Sequence, residues 1–100
     1  MYRSKFESES CDLLFDAILT LKNREECYRL FEDLCTIHEL EVLSQRMAVA
    51  RLLNEQMTYQ DIAQKTQAST ATICRINRAL NYGSDGYRLV LERMEDKNHV

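Results

Sequence analysis

The chain has 100 residues, of which 45% are hydrophobic and 29% are charged, and its formal net charge at pH 7 is −3. This composition indicates one globular domain and excludes a disordered chain, but so short a domain buries only roughly 60–70% of its unfolded surface, so a partner subunit would add stability. Because the chain contains no proline and only two glycines, few residues interrupt helices, and an all-α fold is predicted.

Capping residues mark the starts of the first two predicted helices. A side-chain oxygen at the N-cap, with a carboxylate three residues later, satisfies amides that the first helical turn leaves free. Ser10 is the predicted cap of a first helix over about residues 9–22, whose apolar side chains form one stripe that requires a partner surface. Asn23 and Glu26 begin a second helix that ends near Leu34.

The third predicted helix spans residues 37–54 and begins with a capping box of Thr36 and Glu39. Its apolar residues recur at intervals of three and four, the spacing of one helix face, so we expect it to be the central scaffold helix. They are Leu40, Leu43, Met47, Ala50 and Leu53.

Two short helices with a tight turn are predicted over residues 58–80. Thr58 and Asp61 begin the fourth helix, Ser69 or Thr70 begins the fifth, and the three residues before Ser69 form the turn. A helix-turn-helix needs apolar residues where its two helices lock together. These inward positions are filled by Ile62, Ala63, Ala68, Ile73 and Ile76. After a loop at residues 81–86, a sixth helix begins near Tyr87.

The charge is unevenly distributed along the chain. Residues 1–45 carry a net charge of −5, residues 46–82 carry +3 and residues 83–100 carry −1, and no acidic residue lies between Asp61 and Asp85. A surface that faces DNA phosphates avoids carboxylates, so this segment is predicted to bind duplex DNA. The predicted DNA-binding residues are Thr58, Gln60, Lys65, Ser69, Thr70, Ala71, Thr72, Arg75 and Arg78.

Several motifs together are similar to one known family. They are Leu43-Ser44-Gln45-Arg46, Leu52-Leu53, Met57-Thr58-Tyr59-Gln60-Asp61-Ile62-Ala63, Ala71-Thr72-Ile73-Cys74-Arg75 and Leu80-Asn81-Tyr82-Gly83-Ser84-Asp85-Gly86-Tyr87-Arg88-Leu89. The chain resembles the tryptophan repressor superfamily, most closely its YerC/YecD subgroup. The resemblance implies a single domain over residues 1–100: a bundle of about six helices that forms an intertwined homodimer. It also implies a transcriptional regulator, expected to be a repressor, that binds a palindromic operator.

The resemblance also suggests a site for a small-molecule effector, which the sequence does not identify. In the superfamily two arginines help to hold an amino-acid corepressor, and Arg46 and Arg75 look similar to them. Ile76, however, stands where a glycine would admit an indole ring, and Ala79 where a hydroxyl is expected. These residues argue against tryptophan as the ligand, and for Arg75 a phosphate contact is the preferred interpretation.

Other functions remain open or are disfavoured by the sequence. The helix pair could be a solvated hairpin, and the acidic first two helices could make the chain a helical dimer that binds other proteins without specific DNA binding. No enzyme is indicated, because His38 and His99 are isolated and no nucleophile has a matching base. The four cysteines lack metal-binding spacing and are expected to pack in the core. No metal or cofactor is indicated, and the absence of a long apolar run predicts a cytoplasmic protein without a membrane partner.

Overall fold

The computed structural model describes residues 2–98, and this part of the chain contains six α-helices and no strand. His99 lies outside this part. The helices are α1 (Glu9–Ile18), α2 (Arg24–Leu34), α3 (Ile37–Asn54), α4 (Tyr59–Thr66), α5 (Thr70–Tyr82) and α6 (Gly86–Asn98). The predicted all-α fold is confirmed. No helix in the described range is long and apolar enough to cross a membrane. The contacts divide the chain after Leu40 into two compact units.

Four of the predicted helix caps are present, of which Ser69 is described with the helix pair below. The Asn23 Oδ1 atom accepts a hydrogen bond from the Glu26 amide at 2.9 Å, and Thr58 Oγ1 accepts one from the Asp61 amide at 3.2 Å. In the capping box at the start of α3, the Glu39 amide donates to Thr36 Oγ1 at 3.1 Å, and the Thr36 amide donates to Glu39 Oε1 at 2.8 Å. The amide and hydroxyl of Thr36 hold the pKa of Glu39 below its usual value of 4.5.

The predicted start of the first helix near residue 9 is confirmed, but its predicted cap and its predicted end are wrong. Ser8, and not Ser10, is the N-cap, because its Oγ atom accepts from the Cys11 amide at 3.1 Å. This start places Glu9 and Asp12 in the first turn, where carboxylates interact favourably with the helix dipole. The helix ends at Ile18, beyond which the Thr20 amide and hydroxyl both donate to the Ala17 carbonyl at 3.1 and 2.7 Å.

The first unit contains no buried side chain in its two complete helices. In the predicted apolar stripe of α1, Leu13 is 72% exposed and Phe15 57%, whereas Leu14, Ala17 and Ile18 are half-buried, so the stripe is only partly covered within one chain. The expectation that the cysteines pack in the core is also wrong for a single chain. Cys11 and Cys35 are half-buried, whereas Cys27 and Cys74 are exposed.

The core lies in the second unit and is built from α3, α4, α5 and α6. Its buried residues are Val49, Ala50, Ile62, Ala68, Ile73, Ile76, Leu80 and Leu91. The scaffold role predicted for α3 agrees with its core contacts: Ala50 is buried, and Met47 and Leu53 pack against the core. The predicted face differs from the buried one at two positions. Leu43 is 44% exposed, whereas Val49, absent from the predicted set, is fully buried.

Candidate nucleic-acid interface

The helices α4 and α5 are joined by a tight turn at the predicted position. Gln67 adopts the left-handed conformation there, with φ 65°, which costs a residue other than glycine about 1 kcal/mol. Side-chain hydrogen bonds support this turn. The Thr66 hydroxyl donates to the Ile62 carbonyl at 2.7 Å and accepts from the Ala68 amide at 3.2 Å, while Gln67 Nε2 donates to the Gln64 carbonyl at 2.9 Å.

The inner face of the helix pair is apolar and closed. Ile62 and Ile73 are fully buried, and Ala68 and Ile76 are 5% and 4% exposed. Ala63 is partly buried against the same core. All five predicted inward positions therefore face the core, which leaves the opposite faces of α4 and α5 to solvent.

The start of α5 presents two short side chains that have no capping task. Ser69 is the N-cap: its Oγ atom accepts from the Thr72 amide at 3.1 Å and donates to Thr72 Oγ1 at 3.0 Å. The hydroxyls of Ser69 and Thr72 are therefore engaged with each other. Thr70 and Ala71 are exposed between them, so a methyl-bearing hydroxyl and a methyl group form the tip of the helix.

The remaining predicted residues surround this tip with polar and cationic groups. Thr58 caps α4, and Gln60 and Lys65 are exposed along it. Arg75 and Arg78 are exposed on α5. The two ion pairs found within residues 2–98 are Arg29 with Glu25 and Arg51 with Glu55, so neither neutralises this surface. Asp61 lies one turn before Lys65 on α4, but within the described residues the cations of the helix pair form no ion pair, which leaves them available to a polyanion.

Two residues that the sequence interpretation missed donate hydrogen bonds from flanking helices to the ends of α4 and α5. Gln45 Nε2, on α3, donates to the carbonyl of Thr66 at 3.1 Å, at the end of α4. Arg88 Nε, on α6, donates to the carbonyl of Leu80 at 2.9 Å, near the end of α5. Both residues lie in motifs that carried the family resemblance, but their partners are backbone atoms, which no side-chain pattern identifies.

The two arginines suggested for an effector site are both exposed. A groove of about 210 Å³ lies elsewhere in the second unit, between the end of α3 and α6. Its lining residues are Arg51, Asn54, Glu55, Leu91, Met94 and Glu95. An effector site at Arg46 and Arg75 therefore stays a prediction.

Comparison with known proteins places this architecture in a family. Residues 9–95 match the family described as Trp repressor protein. The chain is 51% identical over 96 residues to the uncharacterized protein YerC of Bacillus subtilis (strain 168), covering 96% of this chain and 92% of YerC.

Two crystal structures have the same fold. A TrpR-like protein from Eubacterium eligens ATCC 27750 is 56% identical, with a TM-score of 0.87, over 91% of this chain and 94% of that one. A Trp repressor candidate from Staphylococcus aureus is 52% identical, with a TM-score of 0.86, over 91% of both chains. The resemblance seen in the sequence motifs is confirmed: this chain belongs to the Trp repressor family, a family of helix-turn-helix DNA-binding regulators.

Proposed function

We propose that this protein is a sequence-specific transcriptional repressor that binds a palindromic operator as a homodimer through α4 and α5. The observation that carries the proposal is the outer face of this helix pair. It combines the exposed tip of Thr70 and Ala71 with the cations Lys65, Arg75 and Arg78, which form no ion pair within the described residues, and residues 62–84 contain no carboxylate. Such a surface matches both the base edges and the phosphates of duplex DNA.

The proposed binding mode places the start of α5 in the major groove. Thr70 and Ala71 are short enough to let the helix approach the bases, and their methyl groups suit contact with the 5-methyl group of thymine. Arg75 and Arg78 lie further along α5 and contact phosphates or guanine. Thr58, Gln60 and Lys65 contact the backbone from α4, while Ser69 and Thr72 act mainly by fixing the helix start.

The exposed apolar side chains support a dimer. Leu13, Phe15 and Leu19 of the first unit are 57–80% exposed, and α6 exposes Val90 and Met94 by 43% and 45%. Burial of such side chains contributes roughly 25 cal/mol per Å² of apolar surface, so a partner that covers them stabilises the chain. The family resemblance suggests that this partner is a second copy of the chain. A two-fold dimer presents two α5 helices to successive major grooves, about one helical turn apart.

Repression follows from occupancy of the operator, which excludes other proteins from the same DNA. A repressor that binds bacterial chromosomal DNA works in the cytoplasm, which is the location that we propose. An effector held by Arg46 and Arg75 would add control, and we expect the identity of any such effector to emerge from binding assays in the presence of amino acids.

The test is selection of bound sequences from a random duplex pool by the purified protein near physiological salt. We expect enrichment of a palindrome whose half-sites are about ten base pairs apart. Absence of any binding to duplex DNA at low salt would overturn the proposal, because phosphate contacts alone give measurable affinity there.

A second candidate is a protein-interaction module, favoured by the exposed apolar residues of the acidic helices α1 and α2. Salt separates the two functions. DNA affinity falls steeply with rising salt, with a slope set by the number of phosphates contacted, whereas a mainly apolar protein interface is nearly insensitive to salt.

A further inference from the structure

At the end of each helix of the proposed DNA-binding pair, α4 and α5, a backbone carbonyl accepts a hydrogen bond from a side chain of a flanking helix. The carbonyl of Thr66, the last residue of α4, accepts from Gln45 Nε2 of α3 at 3.1 Å. The carbonyl of Leu80, in the last turn of α5, accepts from Arg88 Nε of α6 at 2.9 Å. The last four carbonyls of a helix have no partner within it, so these bonds satisfy groups that would otherwise be free.

The charge and the hydrogen bonds of Arg88 stabilise the end of α5 and not its own helix, α6. It lies in the first turn of α6, where a cation interacts unfavourably with the positive end of the helix dipole. The negative end of the α5 dipole lies at Leu80, and there the same cation is favourable. The side chain also donates from Nη2 to Asn81 Oδ1 at 2.8 Å, and Asn81 Nδ2 in turn donates to the Asn77 carbonyl at 2.9 Å.

These hydrogen bonds add a directional constraint that the apolar core does not provide. The core holds α4 and α5 through apolar contacts, which are strong but non-directional. Hydrogen bonds require alignment within tenths of an ångström. One bond from α3 and two from α6 therefore fix the angle at which the outer face of the pair points.

We propose that Gln45 and Arg88 are positioning residues for DNA recognition, which set the orientation of α4 and α5 without touching DNA. The inference rests on the proposed DNA-binding function. An incorrectly oriented α5 still meets phosphates, but it no longer meets the correct base edges. Loss of either residue therefore lowers discrimination between DNA sequences more than it lowers overall affinity.

The experiment compares Arg88→Lys with Arg93→Lys in the full-length protein. Both substitutions keep the charge and lie on α6, but Arg93 is exposed and no hydrogen bond or ion pair was found for it within the described residues. A lysine at position 88 loses the forked geometry that reaches the Leu80 carbonyl and Asn81 together. Binding is measured to the selected operator and to a scrambled duplex of equal length and composition, at equal salt.

We expect Arg88→Lys to bind the operator about tenfold more weakly, a change of about 1.4 kcal/mol, and the scrambled duplex within twofold of the unaltered protein. Arg93→Lys changes neither affinity. Gln45→Met, which keeps the length of the side chain but removes the donor, gives the same loss of discrimination as Arg88→Lys. A partial loss of folding, by contrast, lowers both affinities by one factor, so the ratio separates positioning from stability.

Three results would overturn the inference. Discrimination is unchanged in Arg88→Lys and Gln45→Met; or both duplexes are weakened equally; or Arg88→Gln lowers the salt slope by about one per subunit while Arg88→Lys binds normally, which assigns Arg88 to a phosphate. If the unaltered protein itself does not distinguish the two duplexes, the proposed function fails, and the inference fails with it.

Discussion

The amide of Gly83 donates to the carbonyl of Ala79 at 2.9 Å, and a Cβ atom at position 83 would overlap that same carbonyl oxygen. Gly83 therefore ends α5 by a backbone approach that no other residue allows. The chain leaves α5 at this point and soon enters α6. The close contact therefore also sets the position of Arg88 relative to the Leu80 carbonyl, to which its Nε atom donates.

Replacement of Gly83 by alanine is expected to lower the free energy of unfolding by about 1–3 kcal/mol, because the backbone must shift to relieve the overlap. Gly86→Ala is the matched control. Its added methyl group meets no atom within 4 Å and its φ is not positive, so stability should be unchanged or increase by up to about 1 kcal/mol. Urea unfolding measures both changes, and equal destabilisation by the two variants would contradict the role given to Gly83.

Adjacent residues on α5 should differ sharply in their tolerance to substitution. Ile73 is fully buried and Cys74 is exposed. Ile73→Ala is expected to cost about 2–5 kcal/mol through lost burial and a cavity, and Ile73→Asp to disrupt the fold. Cys74→Ser should stay within about 0.5 kcal/mol. Thermal unfolding followed by circular dichroism checks the pair, and a large cost for Cys74→Ser would mean that this side chain is covered in solution.

Arg75 and Arg78 are expected to contribute to the electrostatic part of DNA affinity. Alanine at either position removes one cation from each subunit and, where that cation contacts a phosphate, lowers the slope of log K against log salt by roughly 0.9 per subunit. Arg93→Ala removes the same charge outside the proposed interface and should leave the slope unchanged. Titrations at several salt concentrations give the slopes, and a change confined to Arg93→Ala would mean that the wrong face was chosen.

Thr70 is expected to recognise DNA through its methyl group. In the selected operator, replacement of the contacted thymine by deoxyuridine should weaken binding by about fourfold, the equivalent of roughly 0.8 kcal/mol for one methyl group. Thr70→Ser, which keeps the hydroxyl, should lose affinity for the thymine operator but no longer respond to this base change. If the losses of binding free energy from Thr70→Ser and from the deoxyuridine replacement are additive at every thymine of the half-site, Thr70 does not contact a thymine methyl group.

Glu39 should make stability depend on pH at the acid end. Its pKa is lowered in the folded chain by the amide and then by the hydroxyl of Thr36, so its contribution is present above the unfolded value of about 4.5 and is lost as pH falls through the lower folded value. Carbon NMR titration of the Glu39 carboxyl group should give a midpoint below 4.5. Thr36→Ala removes only the hydroxyl and should return the pKa part of the way, whereas an unchanged midpoint would exclude that contribution.

The sequence predicted local chemistry better than long-range contacts. Thr36 with Glu39 and Thr58 with Asp61 were identified because a cap and its amide are three residues apart, and the buried face of α4 and α5 followed from helical spacing. The hydrogen bonds of Gln45 to Thr66 and of Arg88 to Leu80 could not be predicted, since they join side chains to backbone atoms of other helices. The first helix begins near residue 9 as predicted, but its cap was assigned to Ser10 and not to Ser8, since both serines carry the side-chain oxygen that a cap needs.

The absence of a buried residue in α1 and α2 has a consequence for how the amount of protein controls its activity. Under the proposed dimer, the second copy acts on these helices as a ligand does, and their order rises with protein concentration by mass action. The core between Val49 and Leu91 is complete within one chain. Dilution should therefore loosen the first forty residues before it affects the DNA-binding pair, so the cellular level of the protein would itself set how much operator is occupied.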